Sequence, residues 1–170
     1  MNKSDSPLWT PPPRPEWLRA MNQEGSYFNL AAVVPLDEAS LIEHACRATG
    51  LGDFGDELWR QPFRVLVKAL EEEAQLTLMG RLMARSDIIL WLSTRLRVTA
   101  TLRQHPEILE ETINAPMVIV GLPRSGTSIL FELLAQDPDV GVPLTWEALQ
   151  PCPPPEAATY ASDPRIKQAD

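Results

Sequence analysis

The chain has 170 residues, 44% of them hydrophobic and 22% charged, which is long enough for one modest globular core and too apolar for a disordered segment. A formal net charge of −8 and a pI near 4.8 argue against a nucleic-acid partner, because binding a phosphate backbone needs a basic surface that displaces counterions. No stretch approaches the ~20 apolar residues of a membrane span, and the start, MNKSDSPLWTPPPRPEW, lacks the apolar core of a signal peptide. The two cysteines, Cys46 and Cys152, lie far apart without any spacing that would place ligands on a metal. A cytoplasmic protein with reduced thiols and no metal is expected.

The predicted elements begin with a proline-rich stretch through about Arg19, where Pro11, Pro12 and Pro13 favour extended polyproline II. Residues 1–35 are read as an arm. From Leu36 to about Ala48 the pattern turns helical, with Leu41, Ile42, Ala45 and Cys46 on one face. Ser40 with Glu43 could form a capping box there, or Asp37 could cap a turn earlier. The stretch TGLGDFGDE then breaks the helix and is read as a connector whose acids, Asp53 and Asp56, cap turns. It lacks the ligand alternation of a calcium loop.

Beyond Pro62 lies the longest periodic region, running to about His105, in which apolar residues recur at spacings of three and four. Two or three helices fit it. Glu71, Glu72 and Glu73 read as a solvated face. Arg81, Arg85, Arg95, Arg97 and Arg103 could steer an anion, but such residues more often cover apolar surface with their stems. His105, standing before Pro106, marks a helix end. The helical region is taken as 36–114.

At 117 the pattern changes. Met117-Val118-Ile119-Val120 is a short continuous apolar run between Pro116 and Gly121, the signature of a buried parallel strand. A polar loop follows, and from Ser128 the chain turns helical again, with Asp137-Pro138 ending that helix. Strand, glycine-rich turn and helix form the context in which a phosphate loop works. Glycines at 121 and 126 let successive N–H groups curl into an anion nest. The helix start adds unpaired N–H groups and the positive end of its dipole. Thr127 and Ser128 supply hydroxyls, and Arg124 supplies a permanent charge in a two-pronged fork.

The spacing from Gly121 to Ser128 matches the nucleotide-triphosphatase loop G-x-x-x-x-G-K-[ST] except that Thr127 stands where the lysine should be. That lysine reaches the β- and γ-phosphates of a triphosphate. A loop without it, its cation moved forward to Arg124, suits a terminal 5′-phosphate that carries one more transferable group. Two alternatives stay open at this point: a nucleotide kinase or triphosphatase with a degenerate loop, and a non-enzymatic helical interaction module.

GLPRSGTS resembles the 5′-phosphosulfate-binding loop of the sulfotransferases, in the variant with P-R-S/T-G-T. The helix ending in AQDP, the segment PLTWEALQPCPPPE, the later DPRI and the upstream ATGLGDFGD and HPEIL are similar to bacterial members as well. The resemblance implies a P-loop-type α/β fold, with a parallel sheet covered by helices on both faces and preceded by the helical region. It also implies transfer of a sulfonyl group from 3′-phosphoadenosine 5′-phosphosulfate to the hydroxyl or amine of a small-molecule acceptor, without a metal. Carried over by position, Arg124 would contact the leaving phosphate and the sulfonyl oxygens, and Ser125, Gly126, Thr127 and Ser128 would hold the 5′-phosphate. Glu147, in LTWEAL, is the candidate general base, or else a capping or surface carboxylate. The family's second donor-binding segment, which holds the 3′-phosphate, has no counterpart before Asp170. Residues 115–170 are therefore expected to be the start of the P-loop-like domain, and the chain to be an inactive N-terminal fragment of a longer enzyme.

Overall fold

A computed structural model describes residues 12–169, and its helices are α1 (Glu16–Gly25), α2 (Leu30–Val33), α3 (Glu38–Thr49), α4 (Arg60–Glu72), α5 (Leu78–Gln104), α6 (Thr127–Leu134), α7 (Thr145–Leu149) and α8 (Ile166–Ala169). Short 3-10 turns cover Pro106–Glu110 and Tyr160–Ser162. The chain divides into two compact units, one of residues 1–48 and 56–91, the other of 49–55 and 92–170.

In the first unit, the stretch expected to be an extended arm contains α1 instead. Pro15 stands at its N-cap and Glu16 in its first turn, so the prolines lead into a helix rather than replace it. Pro11 and the residues before it lie outside the described range. Asp37, the second of the two caps weighed from sequence, starts α3, its carboxylate accepting the Ser40 N–H at 2.9 Å. The buried side chains include the i,i+4 pairs Leu41 with Ala45 on α3 and Phe63 with Val67 on α4, together with Val34, Leu36 and Ile88.

Charged groups complete this unit. Arg81, only 5% exposed, donates to the Val34 carbonyl at 2.9 Å and to Glu71 at 2.6 Å. Arg85 donates to the Pro35 carbonyl. Glu71 is thus not simply part of a solvated acidic face. Glu38 accepts from both Arg60 and Arg64, and the Arg64 hydrogen bond above all holds its carboxyl below the usual range.

The second unit starts in the glycine-rich connector. Asp53 accepts the Gly55 N–H at 2.9 Å, as the capping role requires, and where the chain re-enters the first unit Asp56 accepts the Leu58 N–H at 2.9 Å. Arg103 pairs with Asp53, and Arg95 donates to the Phe54 carbonyl at 2.8 Å. Leu92 and Leu96 of α5 are buried here. Helix α5 ends at Gln104, just before His105-Pro106. Helices α7 and α8 pack together.

Met117–Val120 forms no helix and joins no sheet, and among the described residues there is no strand. The expected parallel sheet is therefore not formed within them. A strand is defined by the ladder it makes with a neighbour, and here none stands alongside. Met117, Val118 and Val120 are 65%, 77% and 89% exposed, so the apolar run buries little of its surface here. Ile119 is half-buried and, with Phe131 and Leu134 of α6, lines a cavity of about 330 Å³.

Candidate functional site

The loop between the apolar run and α6 is built by its backbone. Arg124 (φ 66°) and Gly126 (φ 93°) are left-handed, while Pro123 and Ser125 are not, so the sign of φ alternates along the loop. That alternation curls consecutive N–H groups toward one concavity, the arrangement that holds anions. Left-handed backbone costs a non-glycine residue of order 1–3 kcal/mol, so Arg124 holds strained backbone in this loop. Gly121 is not left-handed, so its role differs from the one its type suggests. A Cβ there would stand 2.7 Å from Ser125 Oγ and 2.8 Å from the Thr127 methyl, so glycine permits the close approach that folds the loop on itself.

Helix α6 then begins with Gly126 as its N-cap and no side-chain cap. The loop's own backbone bonds are Ser125 N–H to the Leu122 carbonyl at 3.2 Å and Leu130 N–H to the Gly126 carbonyl at 3.0 Å. The N–H groups of Arg124, Gly126, Thr127 and Ser128 have no backbone acceptor among the described residues. Arg124 is exposed and has no ion-pair or hydrogen-bond partner among them either. Chemically, the loop offers four amide donors, three hydroxyls and one guanidinium within five consecutive residues, with no acid beside them in sequence.

Glu147 stands elsewhere. It occupies the first turn of α7, where one carboxylate oxygen accepts the Leu144 N–H at 2.6 Å and the other accepts the Tyr160 hydroxyl at 3.1 Å. Partial burial first, then this hydrogen bond, raises the Tyr160 phenol above its ordinary value. Glu147 is half-buried and lines a cavity of about 410 Å³ with Val142, Pro143, Gln150 and Arg165, in which no loop residue takes part. The structure thus brings Arg124 to Ser128 together, and gives Glu147 a capping role in its own segment.

Arg165 is the residue that sequence reasoning passed over. It is 9% exposed and its guanidinium grips both oxygens of Asp163, at 2.9 and 2.6 Å. It also donates to the carbonyls of Gln150 and Pro153, at 2.8 and 2.6 Å, and lies 4.8 Å from the centre of the Trp146 ring. The Arg165 hydrogen bonds pull the Asp163 carboxyl down to about 2. The available signal was the Asp-Pro-Arg spacing, which puts a short acid two residues before a fork that can close on it. Among the described residues no group of side chains is arranged to hold a metal ion, and no helix is long and apolar enough to cross a membrane.

Comparison with known proteins points to one family. Residues 116–169 match the model of the sulfotransferase family. The fold is similar to the crystal structure of sulfotransferase STF1 from Mycobacterium tuberculosis, with a TM-score of 0.70 and 34% identity over 79% of this chain. It is similar to that of sulfotransferase STF9 from Mycobacterium avium, with a TM-score of 0.69 and 30% identity over 77% of this chain. No curated protein matches. The likeness takes in 37% of the STF1 chain and 33% of the STF9 chain. Residues 116–169 thus match the sulfotransferase-family model, and the chain is similar to two bacterial sulfotransferases of which it spans about a third.

Proposed function

We propose that the protein to which this chain belongs transfers a sulfonyl group from 3′-phosphoadenosine 5′-phosphosulfate to the hydroxyl or amine of a small-molecule acceptor, and that residues 124–128 hold the 5′-phosphosulfate. The observation that carries this reading is a guanidinium without a partner among the described residues, set in a loop of alternating φ sign in which the amides of Arg124, Gly126, Thr127 and Ser128 also lack acceptors there. When bound, the donor supplies an activated sulfonyl group on a phosphate leaving group. The chain's own part is electrostatic. Amides of Arg124, Gly126, Thr127 and Ser128 and the hydroxyls of Ser125, Thr127 and Ser128 bind the phosphate oxygens, and Arg124 offsets charge on the leaving oxygen. Donors fixed by the fold before reaction need no reorganisation as that charge develops. The missing lysine at Thr127 counts against a triphosphate in the same place.

Glu147 is the proposed general base. Its bonds to Leu144 and Tyr160 fix the carboxylate, and the lone pairs they leave can accept the acceptor's proton. Met117–Val120 is the proposed interior strand of a parallel P-loop-type sheet, its exposed apolar faces covered by neighbouring strands and helices. The reaction needs no metal on this reading and belongs in the cytoplasm, where both cysteines stay reduced.

Calorimetric titration of the full natural protein tests this. Adenosine 3′,5′-bisphosphate should bind in the micromolar range, and ATP should not bind. ATP binding without bisphosphate binding would overturn the reading in favour of a kinase or triphosphatase.

A further inference from the structure

Within the second unit, the last two turns of α5, Leu51 and the chain from 150 to 165 line an open cavity of about 710 Å³, a volume typical of small-molecule sites. No residue of the 121–128 loop lines it. Two arginines do. Arg165 is fully engaged with Asp163, Gln150 and Pro153, so its charge is already balanced. Arg97 is different. It is half-buried, lines the cavity, and has no hydrogen-bond or ion-pair partner among the described residues.

The contrast along α5 gives this weight. Arg81, Arg85 and Arg95 each donate to a backbone carbonyl, and Arg103 pairs with Asp53. Only Arg97, of the five arginines on α5, holds a charge that nothing described answers. Keeping a guanidinium half-buried without an acceptor is unfavourable, and an anion entering the cavity relieves it. Arg97, Thr101 and Gln104 follow at i, i+4 and i+7 and so share one helix face, giving a cation with two uncharged polar groups along it. Leu51, Ala100, Pro153 and Pro154 provide apolar wall, and the exposed Glu156 is the other charge lining the space with no partner among the described residues.

We propose that this cavity binds a small organic oxyanion, a carboxylate or a sulfate ester, with its charged group on Arg97 and its apolar body against Leu51, Ala100, Pro153 and Pro154. The site is separate from the donor loop and does not depend on the sulfonyl-transfer reading.

Cys152 lines the same cavity and is half-buried, so its reaction with iodoacetamide reports occupancy without any assay of transfer. Cys46, in the first unit, is the internal reference. In the full natural protein, 2-naphthoate or 2-naphthyl sulfate should slow alkylation of Cys152 at least threefold relative to Cys46, and the neutral 2-naphthamide should not. The stronger of the two anions identifies the class of ligand. Arg97→Gln should abolish the protection and Arg97→Lys keep part of it. Glu156→Gln, an exposed change that leaves folding intact, should strengthen protection by removing the opposing charge. Equal protection by the amide, equal protection in Arg97→Gln, or no protection by either anion would overturn the proposal. So would weaker protection in Glu156→Gln.

Discussion

Two arginines of the same unit, Arg124 and Arg165, face opposite situations. Arg165 is buried and receives its acceptors from the chain itself: a carboxylate, two carbonyls and the face of Trp146. Arg124 is exposed, left-handed and without a partner among the described residues. The first arrangement closes a segment on itself, and any ligand would have to compete with interactions already made. The second leaves the full donor capacity of the guanidinium and the neighbouring amides for something outside the chain. Partner count, more than residue type, separates an arginine already committed to the fold from one whose donors stay available to a ligand.

Removing Arg124 should give the sharpest contrast. In the full natural protein, Arg124→Ala is expected to lower sulfonyl transfer by about 10²–10³-fold, the loss typical of one preorganised donor at a developing charge, while the thermal melt stays within experimental error of wild type. Arg124→Lys should recover part of the rate, since it restores charge without the two-pronged geometry. Turnover measured beside calorimetric melts checks both halves, and unchanged turnover in the alanine variant would take Arg124 out of the mechanism.

Glu147 tests whether a residue with two partners of its own can also serve the reaction. Glu147→Gln keeps an oxygen that can accept the Leu144 N–H, so the cap is retained while basicity is lost. Transfer should fall about 10²-fold, with affinity for adenosine 3′,5′-bisphosphate unchanged. A normal rate would leave Glu147 as a cap and nothing more.

Arg165 should behave in the reverse sense of Arg124. Arg165→Ala leaves Asp163 and two carbonyls without their donor, and is expected to cost about 3–5 kcal/mol of stability, read from denaturant unfolding. Arg165→Lys should recover little, because one ammonium cannot grip both oxygens of Asp163 and stack on Trp146. Full stability in the alanine variant would remove the contrast on which the comparison stands.

The smallest effect is one of pH. The Asp163 carboxyl is depressed from 3.8 to about 2, so the folded form binds its proton less readily than the unfolded form. Its contribution to stability is complete above about 4 and is lost as the pH falls toward 2. Fluorescence of Trp146, which packs beside Arg165, should change in that window and not between pH 5 and 7. Arg165→Ala should abolish the transition.

Much of this was legible in the sequence where the physics is local. Periodicity marked α3, α4 and α5, the Asp37 cap was one of two starts the sequence offered for α3, the turns at Asp53 and Asp56 followed from short acids beside exposed N–H groups, and the loop stood out by its glycines and lone arginine. What could not be read depends on neighbours distant in the chain. Whether Met117–Val120 pairs as a strand rests on segments it cannot name by itself. The partners of Arg81 and Arg85, 47 and 50 residues away, and those of Arg165 at Gln150 and Pro153, emerge only when the chain has folded. Helix α1 was hidden by its prolines, since Pro15 suits the start of a helix as well as an extended arm.

Amide chemical shifts offer the most direct test of the central claim that the loop, and not the arginine-closed segment, is built for an anion. Nitrogen-15-labelled full natural protein would be titrated with adenosine 3′,5′-bisphosphate. The account expects the largest shifts at the N–H groups of Arg124, Gly126, Thr127 and Ser128, with the Trp146 indole and the Arg165 amide nearly still. Large shifts at Trp146 and Arg165 with a silent loop would contradict it.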